Sequence, residues 1–233
     1  MNDHPLDNVL WHALTGEQAR FALGTGKARR FQTGIGPLAG IADRSEQSLA
    51  DLAALIRALG PVALLQPGAP LPPIAAGQGI RIVKQAEGVQ MVYAGEPLPP
   101  ETSGPDLKLL GPEAYPEMLA LASLTEPGPF AARTADLGQF WGVFDEARLI
   151  AMAGQRTRPT GHIEVSGVCT HPDARGRGLA SRLTRRVVRQ ILANGRIPFL
   201  HAYADNGRAL ALYRQLGFAE RTRVLVTVCA TAP

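Results

Sequence analysis

Hydrophobic positions recur at helical spacing in some stretches of the chain and gather into short apolar runs in others, and their alternation predicts the elements. Asp7 to Leu23 reads as a helix. Ser45 to Leu59 is more regular: Leu49, Leu52, Ala53, Ile56 and Leu59 share one face, Ser45 stands at the N-cap position, and Gly60-Pro61 ends the run. Val62 to Leu65, Ile80 to Gln85 and Val89 to Tyr93 read as strands, the last two joined around Glu87-Gly88 as a hairpin.

The second half is more orderly. Asp106 to Leu110 predicts a short strand and Pro112 to Thr125 a helix. Phe140 to Phe144 and Leu149 to Gln155 predict two strands turning at Asp145 to Arg148. Ile163 to Thr170 is a further strand. Leu179 to Ala193 has a stripe of Leu179, Leu183, Val187 and Ile191, with Arg182, Arg185, Arg186 and Arg189 on the other side, which marks an amphipathic helix ended by Asn194-Gly195. Ile197 to Tyr203 is a strand, Asn206 to Leu216 a helix closed by Gly217, and Phe218 to Cys229 a strand with a break. Antiparallel strands thus come first and a strand–helix–strand crossover follows. The fold class is α/β in the α+β sense, with a mixed, mostly antiparallel twisted sheet flanked by helices.

Two proline-rich stretches, Gln66 to Pro73 and Pro97 to Pro105, read as linkers, because proline at that density blocks both helix and central strand. The second is the better boundary. It divides the chain into residues 1–104, a smaller α/β unit without recognisable chemistry, and residues 105–233. Gly24-Thr25-Gly26-Lys27 lacks the remaining residues of a nucleotide-binding loop, and Gly34-Ile35-Gly36 lacks the third glycine of a dinucleotide fingerprint, so both read as plain turns.

Composition narrows the class. With 233 residues, 45% of them hydrophobic and 19% charged, the chain can bury a core without disulfide staples. Cys169 and Cys229 lie in apolar runs and read as buried free thiols. Neither they nor the five histidines show ligand spacing, so no metal is expected. The first residues lack a basic region followed by an apolar stretch, and no apolar run approaches a membrane span, so a cytoplasmic protein with no membrane partner is expected. The net charge of +4 fits an anionic ligand, and the clustering of arginines between Arg175 and Arg223 favours a local anion over a nucleic-acid track.

That anion has an evident place. In VSGVCTHPDARGRGLA an apolar strand ends at Thr170, His171-Pro172-Asp173 forces a turn, and Arg175-Gly176-Arg177-Gly178 leads into the helix at Leu179. Glycines let backbone N–H groups approach an anion closely. The helix start adds unpaired donors and partial positive charge, and two arginines add full charges. A pyrophosphate fits such a cradle. One helix and one strand later comes NGRALALYRQLGF, in which Asn206, Ala209, Tyr213 and Leu216 share a face.

Together these segments resemble the GNAT superfamily of N-acetyltransferases. Arg175-Gly176-Arg177-Gly178-Leu179-Ala180 is similar to the superfamily's Arg/Gln-x-x-Gly-x-Gly/Ala turn. Asn206, Ala209, Leu212, Tyr213, Leu216, Gly217 and Phe218 match its Asn-x-x-Ala-x-x-Leu-Tyr-x-x-Leu-Gly-Phe pattern. VCTHPDARGRGLA looks like the glycine-acyltransferase-like branch. The resemblance covers roughly Asp106 to Cys229. It implies acetyl-CoA as donor, a primary amine on a small molecule or peptide as acceptor, and an acyltransferase that works by direct attack on the thioester. It also implies roles: backbone groups of Val168, Cys169 and Thr170 pair with the pantetheine arm; N–H groups from Arg175, Gly176, Arg177, Gly178, Leu179 and Ala180 hold the pyrophosphate, with Ser181 close by; Asn206 contacts the cofactor; and Tyr213 protonates the departing thiolate.

The attacking amine must lose a proton. Alternation along the strand puts His162, Glu164, Ser166, Val168 and Thr170 on one face if no bulge intervenes, making Glu164 the candidate base, direct or through water. His162 is a lesser candidate at the strand entrance, His201 reads as structural and His171 as a turn residue. The rival reading is a non-catalytic acyl-CoA-binding regulatory module; nucleic-acid binding through the arginine-rich helix is a weaker third, since that helix lacks aromatic stacking residues. The acceptor and the oligomeric state stay open, with a homodimer compatible.

Overall fold

The structure, a computed structural model, describes residues 4–72, 74–96, 98 and 105–232. Eleven strands occur among them: β1 (Ala22–Leu23), β2 (Ala28–Phe31), β3 (Leu38–Ile41), β4 (Val62–Pro67), β5 (Ile80–Tyr93), β6 (Lys108–Leu110), β7 (Phe140–Asp145), β8 (Arg148–Gln155), β9 (His162–Thr170), β10 (Ile197–Tyr203) and β11 (Phe218–Thr231). The helices are α1 (Val9–Thr15), α2 (Glu46–Leu59), α3 (Ile74–Gly77), α4 (Tyr115–Thr125), α5 (Leu179–Ala193) and α6 (Gly207–Gln215), with short 3-10 turns between them.

The strands form one sheet in the order β1-β2-β3-β4-β11-β5-β10-β9-β8-β7-β6. Only β3/β4 and β9/β10 pair in parallel. This is the expected mixed, mostly antiparallel sheet with helices on both faces. It also runs across the boundary expected at residue 104: β5 lies between β10 and β11, so the two halves share one hydrogen-bonded sheet. The proline-rich stretch proposed as the boundary falls largely outside the described residues.

The periodic segments fold as their patterns dictate. In α5, Leu179, Leu183, Val187 and Ile191 are at most 3% exposed and lie over β7 to β10. Burying each contributes roughly 1.5–3 kcal/mol. That outweighs the few tenths by which β-branched Val187, Val188 and Ile191 disfavour helix. In α2 the Ser45 hydroxyl accepts the backbone N–H of Ser48 at 3.3 Å, and Gly60, at φ +84°, closes the helix through the Ile56 carbonyl at 2.8 Å.

The structure corrects three local expectations. The helix expected from Asp7 to Leu23 stops at Thr15, where Gly16 turns the chain, and its end becomes β1. Strands β2 and β3 do not appear among the expected elements; at β2, ARRF carries two arginines that a pattern assigns to solvent. Arg30 is in fact 3% exposed, and its guanidinium donates to the Leu59 and Gly60 carbonyls at 2.8 and 3.2 Å, capping α2. The hairpin expected at Glu87-Gly88 does not exist: β5 continues through it, paired along its whole length with the 14-residue β11. Gly88 is there for proximity. A Cβ on it would stand 3.0 Å from a Val224 methyl and 3.2 Å from the Ala202 carbonyl oxygen.

Candidate active site

The site grows from a divergence in the sheet. Strands β9 and β10 pair only from His162/Ile197 to Glu164/Phe199. Beyond Glu164, β9 keeps its bonds to β8, and its other edge is open. Met152 pairs with Cys169 and Gly154 with Ser166, so one residue of β8 opposes Gly167 and Val168, with Gly167 at φ +62°. This bulge reverses the facing of the strand. Ile163 and Val165 enter the core under α5 and α6, Val168 packs against that same core, and Cys169 joins the α4 side. Glu164 and Val168 therefore do not share the face that simple alternation assigns them.

A cavity of about 500 Å³ lies in the opening. Val168, Cys169 and Thr170 line one wall, and Arg175, Gly176, Gly178, Leu179, Ala180 and Ser181 line another, followed by Asn206 and Tyr213. Of the expected cradle residues, Arg177 alone does not line it; Arg208 does, a cation the sequence reading passed over although it stands two residues after Asn206. Gly176 and Gly178 have φ of +81° and +72°, and a Cβ on either would meet nothing within 4 Å. Glycine is thus required there by backbone geometry, and the turn faces open space. Gly178 begins α5 without a side-chain cap, which leaves the first-turn N–H groups available to a ligand. This turn, the free strand edge and the cavity size together fit a coenzyme A thioester. Asn206 caps α6, its side-chain oxygen accepting from Ala209 N–H at 3.1 Å, so its amide N–H groups remain to face the cavity.

Tyr213 is 8% exposed, with its ring edge-on to Phe218 at 6.0 Å between centroids. Burial, aided by the neighbouring Cys169 thiol, pushes its phenol up to about 12. The hydroxyl therefore holds its proton throughout the neutral range, as a proton donor must.

Glu164 lies elsewhere. It is 1% exposed and lines neither cavity described here. Arg156 donates to it twice, at 3.0 and 2.7 Å, and the Thr157 hydroxyl donates at 2.7 Å. His201 Nδ1 stands 2.9 Å away. Burial on its own raises this carboxyl, but the Arg156 charge and the His201 and Arg156 hydrogen bonds outweigh it and hold the group far below the usual carboxylate range. With its lone pairs engaged, the carboxylate fixes Arg156 and His201 and has no acceptor position left for an incoming amine. The network continues through Gln90, 3.1 Å from His201 Nε2, to Arg221 and Asp7. His201 is thus held between Glu164 and Gln90. His171 caps the turn at Pro172, its ring accepting from Asp173 N–H.

A second cavity of about 140 Å³ adjoins the first. It is lined by Leu38 and Leu65 from the first half of the chain, by Gly88, Val224 and Val226, and by Pro127 to Pro129 after α4. Glu126, Pro127, Val168, Asn206, Ala209 and Tyr213 line both cavities, so the two meet at Tyr213. Among the described residues no cluster of three or more His, Cys, Asp or Glu side chains could hold a metal, and no helix is long and apolar enough to cross a membrane. Cys169 and Cys229 are buried and unpaired.

Comparison with known proteins agrees with this geometry. The family described as FR47-like protein matches residues 140–226, the span from β7 into β11. A solved acetyltransferase of the GNAT family from Novosphingobium aromaticivorans is 42% identical, covers 99% of this chain and 100% of its own, and superposes with a TM-score of 0.88. A GCN5-related N-acetyltransferase from Kribbella flavida shares the fold at 17% identity, with 95% and 94% coverage and a TM-score of 0.64. A curated relative, mycothiol acetyltransferase from Corynebacterium jeikeium, is 43% identical over 68 residues, which span 28% of this chain and 18% of that protein. The full-length match at 42% identity, on a sheet that splays beside an anion cradle, establishes that this chain belongs to the GNAT family of acetyltransferases.

Proposed function

We propose that the protein transfers the acetyl group of acetyl-CoA to a primary amine by direct attack of the nitrogen on the thioester. The observation that carries this reading is the position of Tyr213: a buried phenol where the cradle-bounded cavity meets the second cavity. Acetyl-CoA supplies an activated acyl group. Backbone groups of Val168, Cys169 and Thr170 along the open strand edge, and N–H groups of the Arg175 to Ala180 turn, bind and orient it, assisted by Ser181 and Asn206. Tyr213 gives its proton to the departing sulfur, and the proton that the attacking nitrogen sheds passes through solvent to restore the phenol, so that amide and free thiol are the products. Leu38, Leu65 and Gly88 in the second cavity support an acceptor-shaping role for residues 1–104. Glu164 positions Arg156 and His201 at that cavity's wall. Calorimetry with acetyl-CoA and thiol release across a panel of amines test the proposal. Binding with amine-dependent release is the expected result; binding without release to any amine would favour a non-catalytic acyl-CoA-binding module, and absent binding would sink both.

A further inference from the structure

Building on that reading, we infer that the acceptor is an amine on a small apolar body lacking an α-carboxylate, and that Glu126 is the residue that recognises its ammonium group. Six residues line both cavities, and among them Glu126 is the one carboxylate. A nitrogen arriving from the second cavity to meet a thioester in the first must pass these six. Glu126 is held there by its backbone. It ends α4 in the left-handed region, φ +48° and ψ +54°, with its N–H bonded to the Ala122 carbonyl at 2.8 Å. It is one of two non-glycine residues with positive φ among the described residues; the other, Glu146, sits in the tight β7–β8 turn. A non-glycine residue in that region costs of order 1–2 kcal/mol, and such strain concentrates at functional positions.

The rest of the second cavity defines the acceptor's body. Leu38, Leu65, Val224 and Val226 present hydrocarbon from three neighbouring strands, and Gly88 packs its backbone closely against Val224. Two basic side chains line this cavity, and both are committed. Arg156 is bound twice by Glu164, and His201 lies between Glu164 and Gln90. The Arg156 charge is thus offset by Glu164, and of the Asp, Glu, Lys and Arg side chains of this lining Glu126 alone has no ion-pair partner among the described residues, so the wall attracts an ammonium, repels a carboxylate and offers an alkyl group its apolar side.

The test uses the full chain at saturating acetyl-CoA and compares 3-methylbutylamine with leucine, which differs from it by the α-carboxylate, within a wider amine panel. The expected result is a kcat/KM for 3-methylbutylamine about tenfold or more above that for leucine. Glu126→Gln should raise KM for the amine about tenfold while acetyl-CoA affinity measured by calorimetry is unchanged, with Glu126→Asp in between. Equal or faster turnover of leucine, or an amine KM unmoved in Glu126→Gln, overturns this inference and leaves the proposed function standing. No thiol release with any amine overturns both.

Discussion

The donor-side cavity takes two of its walls from one short run, Val168 to Ser181, and closes with a helix that follows a single strand later. The second cavity takes its walls from Leu38, Leu65, Gly88, Glu126, His201 and Val226, which come from across most of the chain. The first presents backbone N–H groups, glycine conformations and a helix terminus, features that a local sequence encodes. The second presents side-chain shape, which exists only once β3, β4, β11, β5 and β10 lie side by side. The first is therefore set by neighbouring residues and the second by distant ones.

The sharpest test of this contrast is Tyr213→Phe, placed where the two cavities meet. It should lower kcat by about 10²–10⁴-fold, the usual contribution of a positioned proton donor. Acetyl-CoA affinity by calorimetry should hardly change, because the cradle lies elsewhere. Unaltered turnover would remove Tyr213 from the chemistry.

Next in size is Glu164→Ala, which leaves the Arg156 guanidinium buried without its partner. Denaturant unfolding should show a loss of about 3–5 kcal/mol at neutral pH. The sign of its pH dependence follows from the folded carboxyl being held below its unfolded value. The stabilisation is complete above the ordinary carboxylate range and is lost as pH falls through and beneath it, so the gap between wild type and variant should narrow on acidification. A gap that widened in acid would contradict the assigned ion pair.

The smallest effect is expected at Gly178→Ala. Nothing lies within 4 Å of the added methyl, so the cost is backbone strain at φ +72°, about 1–2 kcal/mol. If the turn keeps its shape, stability falls by that amount; if the strain relaxes, acetyl-CoA affinity falls about tenfold instead. Calorimetry beside a melting curve separates the two, and a variant altered in neither would show that the turn does not need glycine.

The sequence by itself determined what is written in neighbouring residues. The stripe of α5 placed its buried face, Ser45 and Gly60 bounded α2, and the spacing of glycines before Leu179 marked the anion cradle. The order of cradle and Tyr213 helix marked the family and the donor. Tertiary structure decided what depends on distant contact. Arg30 reads as exposed until it meets the end of α2, and Glu87-Gly88 reads as a turn until β11 runs beside it. Glu164 reads as a free strand carboxylate until Arg156, Thr157 and His201 close around it. The bulge at Gly167 cannot be counted from alternation, because it arises from the pairing with β8. Glu126 gives no local signal beyond its place before a proline, and its position between two cavities comes from the divergence of β9 and β10. Local backbone preferences act within a few residues and survive in a linear reading; burial, charge pairing and cavity walls are properties of neighbours that the chain brings together only on folding.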